Sequence, residues 1–285
     1  MKTISFYISL IKFSHTLFAM PFAVIGFFLG IKISNTEINW KLFALVILCM
    51  VFARNAAMAF NRWTDKYYDS KNVRTQIREI PKGIISSSSA LTFVFINSFL
   101  FILTSYFINF LCFFLSPIAL LVILGYSYTK RFTSLCHLIL GLGLSLAPVG
   151  AFLAVTGEFK LLPLLYSFVV LFWVSGFDII YALQDEGFDC SQKLKSIPVL
   201  LGKKNALTLS SFFHLISSVI ILLAGYLAGF HLWYWIGSAI FILLIIRQHT
   251  IVSSDDLSKV NVAFFTINGI ASIVFSIFFL LELYF

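Results

Sequence analysis

Charge is what this sequence has least of. Only 11% of its 285 residues are Asp, Glu, Lys or Arg, while 60% are hydrophobic. An ordinary soluble domain carries roughly 25% charged residues. A chain this short of polar surface is excluded from the soluble globular class, and its mean hydropathy of +0.98 places it among polytopic helical membrane proteins. Cysteine is also sparse: Cys49, Cys112, Cys136 and Cys190 show no C-x-x-C spacing. Neither a disulfide framework nor a zinc site is therefore supported, and the first three, in or beside apolar runs, read as buried thiols. No continuous basic tract or basic helix occurs. The net charge of +8 thus reflects membrane topology and not nucleic-acid binding. A small-residue cleavage site after a short apolar core is missing, so the N-terminus, with Lys2 and Lys12, reads as the lead-in to a first span and not as a cleaved signal peptide. The alternation of a transmembrane β-barrel is absent too.

What the chain has is phenylalanine, 34 residues of it, and apolar windows of about 20 residues, the length that crosses ~30 Å of hydrocarbon. Nine are expected as helices: 15–33, 42–62, 89–108, 111–127, 135–155, 162–184, 206–228, 231–249 and 261–283. The gap near Asn109 is short enough to leave open one long broken helix in place of two. Nine spans put the N-terminus, 63–88, 128–134, 185–205 and 250–260 on one side, with 34–41, 156–161, 229–230 and the C-terminus on the other. Of the 20 Lys and Arg, the second side receives only Lys32, Lys41 and Lys160; Arg54 is intramembrane and Arg62 ends its span. The positive-inside rule then predicts a cytoplasmic N-terminus. The expected architecture is all-α and polytopic, a single transmembrane domain over 1–285.

Two acidic stretches interrupt this apolar background at cytoplasmic helix ends. Asn61, Asp65 and Asp69 are spaced i, i+4, i+8, and Tyr181, Asp185 and Asp189 repeat that spacing. Such residues stay within about 80° of one helix face over ~12 Å, which predicts two columns of oxygens. Clustered carboxylates repel unless a hard cation sits among them, and Mg²⁺, held by carboxylates plus water and substrate phosphate, is the natural candidate. Two facing columns could hold Mg²⁺ ions around a diphosphate. Arg74, Arg78 and Lys82 in the first loop, and Lys130 and Arg131 after Gly-Tyr-Ser-Tyr, supply neighbouring cations. Solvated helix ends salt-bridged to those cations are the competing reading, weakened by the recurrence of one spacing at one membrane face. Each row is followed by a basic loop with a shared Ile-Pro (80–81 and 197–198), a weak sign of internal duplication. Arg54, two turns before Asn61 in an otherwise apolar helix, needs a partner. A substrate anion, Asp178 and helix-end carbonyls are the alternatives.

The motifs Asn61-Arg-x-x-Asp65-x-x-x-Asp69, Asn72-x-Arg74-Thr75-x-x-Arg78, Gly125-Tyr-x-Tyr-x-Lys130-Arg131 and Asp178-x-x-Tyr181-Ala-x-x-Asp185-x-x-x-Asp189 together resemble the UbiA superfamily of intramembrane prenyltransferases. The 4-hydroxybenzoate polyprenyltransferase-like branch is the nearest match. The likeness includes Gly141-x-Gly143, Ala147-Pro148 and Ser196-Ile-Pro198. It implies nine helices around a cavity open sideways to lipid, with the active site on the cytoplasmic side of a bacterial inner membrane. It further implies that Asn61, Asp65, Asp69, Asp185 and Asp189 hold Mg²⁺ and diphosphate, with Arg74, Arg78, Lys130 and Arg131 near the diphosphate. Tyr126 and Tyr181 would line the cleft, Arg54 would meet an aromatic carboxylate, and Asp178 would act as a second-row or orienting group. The commonest first motif has Asp where this chain has Arg62, as in a subset that the chain resembles; this leaves the metal site intact and the acceptor less defined.

The implied reaction is attack of an electron-rich aromatic ring on an allylic carbon as diphosphate leaves. The partners are a polyprenyl diphosphate, an aromatic acceptor and the bilayer, and the pathway is quinone biosynthesis. Tyr126, Tyr128 or Phe177 could stabilise an allylic cation by cation–π attraction, and Gly141 and Gly143 could make room for the tail or pack helices closely. A menaquinone-pathway enzyme acting on a naphthoate or futalosine-derived acceptor is the runner-up. An ion-coupled transporter is the alternative of another class, but it calls for acidic groups near the bilayer midplane.

Overall fold

The computed structural model describes residues 2–11 and 16–285, and the described residues contain helices and no strands. Met1 and Lys12, part of the N-terminal reading above, lie outside them, as does His15 at the start of the first expected span. Helix α1 (Lys2–Ile11) was not anticipated. The expected spans correspond to α2 (Thr16–Ser34), α3 (Trp40–Thr64), α5 (Ser87–Ile108), α6 (Phe110–Thr129), α7 (Cys136–Thr156), α8 (Leu161–Ala182), α10 (Ile197–Ala228), α11 (Leu232–Ile251) and α12 (Asn268–Tyr284), the last entered through a π-helical turn at Val262–Ile267. Short helices α4 (Lys66–Lys71) and α9 (Glu186–Ser191) follow α3 and α8. Among the described residues eight helices are long and apolar enough to span a membrane, and the apolar part of α2, Ala19–Ser34, is shorter.

Local chemistry sets the boundaries. Asn39, Ser86 and Asn109 cap α3, α5 and α6, each side-chain oxygen accepting from the backbone N–H three residues on, and this satisfies a donor the helix cannot. Asn109 also ends α5 in an extended conformation and donates through Nδ2 to the Leu153 carbonyl at 2.8 Å. The third and fourth spans are therefore two helices, not one. Gly157 and Gly229 end α7 and α10 in the left-handed conformation, where a side chain would clash. The seventh span begins earlier than expected: helix starts at Ile197 and is broken at Gly202, whose φ is 75°.

Consecutive spans pack on one another and α12 closes onto α2, so the eight long helices and α2 form a ring. Helices α7 and α8 are the most enclosed, with half or more of their apolar windows buried (50% and 56%), whereas α5 and α6 reach only 22% and 17%. The latter expose Phe95, Phe99, Phe107, Phe110 and Phe114, an apolar belt that only lipid can solvate. Phenylalanine has a second use in the interior, where Phe22, Trp173, Phe241, Phe275 and Phe279 interlock between α2, α8, α11 and α12.

The segments 63–88, 128–134 and 185–205 meet at one end of the ring, as the ion pairs below require. Val252 and Val260 pack there against Ile179, Ile180, Leu183 and Ile197. At the other end Glu282 accepts from the backbone N–H groups of His231 and Tyr234, capping α11. Three of the loops expected on one side of the membrane thus cluster at one end of the ring.

Two glycines permit the central crossings. A Cβ on Gly26 would lie 2.0 Å from the Pro148 carbonyl oxygen, and one on Gly141 would lie 2.5 Å from that of Leu171. Of the pair left open between packing and tail space, Gly141 is a packing glycine, while Gly143 lines the cavity described below. Gly26→Ala should lower stability by about 1–3 kcal/mol, the usual penalty of overpacking. Gly269→Ala, on α12 with nothing near its Cβ position, should be neutral or stabilising by up to about 1 kcal/mol. Thermal unfolding in detergent checks the contrast.

Candidate active site

The two acidic rows are brought together, but neither is a straight column. Helix α3 breaks at Asp65 (φ −92°, ψ 6°) and the α8 row breaks at Asp185 (φ −101°, ψ 0°). Each middle carboxylate therefore sits at a bend between a long helix and a six-residue helix. The backbone ladder survives the first bend, with Asp65 N–H donating to Asn61 and Asp69 N–H to Asp65. The rows thus match in local geometry as well as in spacing.

Loop 72–78 ties them to each other. Asn72 Nδ2 and Arg74 Nε donate to Asp185 Oδ1 at 3.2 and 3.0 Å, and Arg74 also reaches the Tyr181 hydroxyl at 2.9 Å. Four residues on, Arg78 donates to both oxygens of Asp69 at 2.7 and 2.9 Å. From the α6 end, Lys130 donates to Asp189 at 2.6 Å. Arg131 donates to the Thr64 carbonyl at 2.7 Å and lies 3.7 Å from Asp65. It therefore stabilises the end of α3 instead of facing the second row. The competing salt-bridge reading is correct about these pairs and wrong about solvation: Asp69 and Asp189 are 5% and 2% exposed.

Burial disfavours the charges on Arg74 and Lys130, but the bonds and charges of Asp185 and Asp189 outweigh it and hold both cations above their ordinary pKa. Asp65 has the opposite balance. Its burial, reinforced by repulsion from Asp69, pushes its carboxyl up to about 6 despite Lys130, Arg131 and Arg78 nearby. Asn61 Nδ2 donates to one of its oxygens at 3.2 Å. Among the described residues no group of three or more His, Cys, Asp or Glu converges as a preassembled metal cage. The donor set nonetheless fits a hard divalent cation. It is entirely oxygen, and Asp65 lacks a close counter-charge of the kind the other three carboxylates have.

Beyond this polar cap lies an apolar cavity of about 360 Å³ between α3, α5, α6 and α7, lined by residues including Cys49, Arg54, Ala57, Tyr126 and Gly143. Ala57 precedes Asn61 by one turn, so the Arg54–Tyr126 end lies nearest the acidic rows. Arg54 Nε is buried with no hydrogen-bond partner. Asp178, one of the alternatives for its partner, is engaged elsewhere, its Oδ2 2.7 Å from His137 Nδ1. Tyr126 lies within electrostatic reach of Arg54, Asp65 and Asp178. Of the three aromatics singled out for cation stabilisation, only Tyr126 lines the cavity. Phe177 is in the interior cluster, and Tyr128 meets Phe60 edge-on with Arg131 4.9 Å from its ring centroid.

The sequence reading missed His137, which carried no motif, and the burial of Arg62, whose Nε and Nη1 lack hydrogen-bond partners at 5% exposure.

The fold and site define a polytopic helical membrane protein, a ring of helices capped at one end by facing acidic rows and basic loops. Residues 19–270 match the model of the UbiA prenyltransferase family, and the chain belongs to that family. It is 30% identical to the 4-hydroxybenzoate octaprenyltransferase of Aliivibrio fischeri (strain MJ11) over 69% of each chain. With its counterpart in Nitrosomonas eutropha (strain DSM 101675 / C91 / Nm57) it shares 29% identity over 81% of each. Its fold matches the apo structure of a UbiA homologue from Aeropyrum pernix K1 with a TM-score of 0.85 at 29% identity, covering 94% of this chain and 98% of that one. A homologue from Archaeoglobus fulgidus, solved bound to GPP and Mg²⁺, has the same fold, with a TM-score of 0.76 at 21% identity over 98% and 99% of the two chains.

The Lys130–Asp189 pair separates stability from chemistry. Lys130→Met should destabilise the fold strongly, by about 3–5 kcal/mol, because it strands a buried carboxylate. Adding Asp189→Asn should restore most of the loss, as read by thermal unfolding in detergent.

Proposed function

We propose that this protein, as a single transmembrane domain over 1–285, transfers a polyprenyl group from a polyprenyl diphosphate to an aromatic acceptor of the 4-hydroxybenzoate type, in quinone biosynthesis and with Mg²⁺. One observation carries the reading: facing acidic rows, each in contact with cationic side chains, lie next to an apolar cavity that holds a half-buried arginine with an unsatisfied nitrogen. The names of the bacterial relatives support the acceptor class, and the Archaeoglobus fulgidus homologue with GPP and Mg²⁺ supports the donor and metal. The excess of Lys and Arg at the loop end favours a cytoplasmic active site in a bacterial inner membrane.

Asn61, Asp65, Asp69, Asp185 and Asp189 would hold the metal. When bound, Mg²⁺ would neutralise negative charge growing on the departing diphosphate. Arg74, Arg78 and Lys130, now paired with carboxylates, would contact the diphosphate oxygens; Arg131 keeps the end of α3 in position. Tyr181, bonded to Arg74, lines the polar end of the cleft. The tail would occupy the apolar cavity, and Tyr126 would present its ring to the allylic carbon, a contact worth roughly 0.5–2 kcal/mol. Arg54 would take an acceptor carboxylate with its unsatisfied nitrogen.

Asp65→Asn and Asp185→Asn should each lower transfer by at least about 10²-fold, the scale of losing an electrostatic contact to the transition state. Both proteins should remain folded by thermal unfolding. EDTA should abolish wild-type transfer and Mg²⁺ restore it; turnover of geranyl diphosphate in EDTA would sink the metal assignment. Arg54→Ala should raise the KM for a carboxylated acceptor by about 10-fold or more while leaving that for prenyl diphosphate nearly unchanged. Equal effects on both substrates would mean Arg54 is structural.

A further inference from the structure

A buried imidazole–carboxylate pair stands beside the site, and no role described so far uses it. His137, on α7, is 1% exposed. Its Nδ1 lies 2.7 Å from Asp178 Oδ2, and its Nε2 accepts from the backbone N–H of Ile197 at 3.4 Å. A nitrogen that accepts carries no proton, so the Ile197 N–H places the imidazole proton on Nδ1, directed at Asp178. Ile197 is itself buried at the start of α10, behind the Ser196 cap.

Asp178 has a different environment. Its side chain is 20% exposed, and among the described residues Oδ1 has no hydrogen bond. It precedes Tyr181 by one helical turn and Asp185 by two. It is also within electrostatic reach of Tyr126, which lines the cavity with Arg54. One oxygen is therefore engaged by His137 and, among the described residues, the other is free, one helical turn before Tyr181.

We propose that His137, locked by the Ile197 N–H, is a positioning residue that orients Asp178 so that its free Oδ1 removes the proton from the acceptor ring carbon being prenylated. This rests on the aromatic-transfer reading above. The ring carbon forms its bond to the allylic carbon as the allylic C–O bond breaks, and the electron pair of that bond leaves with diphosphate. The ring C–H proton passes to Asp178 Oδ1, its bonding electrons restore aromaticity, and Asp178 then releases the proton to water. The donated Nδ1–H fixes the carboxylate geometry and takes no proton itself.

The test is steady-state kinetics with ordinary and ring-deuterated acceptor in four proteins: wild type, H137L, D178N and the double variant. H137L should lower kcat by about 10–100-fold, the range for losing a partner that orients a reacting group, with the KM for prenyl diphosphate unchanged. Its deuterium isotope effect on kcat should rise, because proton removal becomes slower than bond formation. In the D178N background H137L should cost less than about 2-fold, since both changes remove one function. H137N keeps a donor for Asp178 but not the acceptor for Ile197, so its kcat should fall between H137L and wild type with an isotope effect also raised. If H137L fails to bind prenyl diphosphate, H137N decides by the same two readouts. Wild-type-like kcat in H137L, an unchanged isotope effect, or an equal cost in the D178N background would overturn the proposal and leave the function standing. Failure of the wild type to prenylate any aromatic acceptor would overturn both.

Discussion

Carboxylates placed where water is scarce are the constraint from which the rest of the structure follows. Asp69 and Asp189 are nearly inaccessible, and an ionised carboxylate so placed is tolerated only beside an opposite charge. No single helix can supply that charge, because the apolar spans have almost none to offer. Loop 72–78 therefore crosses from the first row to the second, Lys130 crosses from the end of α6, and the bundle closes at its polar end through ion pairs between elements distant in sequence. The same pairs leave those cations poised next to carboxylates that a metal would claim. Fold stability and, on the proposed reading, the capacity to receive a diphosphate would thus rest on one set of contacts.

Helix α3 shows how one element serves two chemistries. Its polar end carries Asn61 and Asp65 at a bend. Two turns deeper, Arg54 enters the apolar cavity with a nitrogen that no group among the described residues satisfies. An arginine in this setting costs free energy in the free protein, and a partner that arrives with the substrate offsets that cost only on binding. The rest of the cavity wall is mostly apolar, with Arg54 its one charged side chain among the described residues, so an anion would find one place to settle and a hydrocarbon tail many. That asymmetry orients an amphipathic reactant without a rigid polar pocket.

Much of this was legible in the chain. The order of the apolar windows and the repeated spacing of 61–65–69 and 181–185–189 correspond to features of the structure, while the described residues hold eight helices long and apolar enough to span a membrane where nine were expected. What stayed hidden depended on contacts between distant segments. Spacing alone could not reveal the breaks at Asp65 and Asp185, because ideal helical periodicity assumes the helix continues through them. Asp178 appeared as a possible partner for Arg54 until His137, a lone histidine without a motif, proved to hold it. Phe177 and Tyr126 look alike as candidates in a chain with 34 phenylalanines; only packing separates the one in the core from the one on the cavity wall.

The two halves of the site differ in how they are made rigid. The polar cap is held by ion pairs from a loop, whose charged ends would exchange partners with a metal and an anion on the proposed reading. The His137–Asp178 pair is held by backbone: the Ile197 N–H, at the start of a helix capped by Ser196, and the α7–α8 crossing made possible by Gly141. An adaptable electrostatic cap suits a leaving group that must be captured and then released with its metal. A fixed carboxylate suits a step in which one oxygen must meet one ring proton. The division of labour follows from where the chain places its few charges and from which of them it leaves free to move.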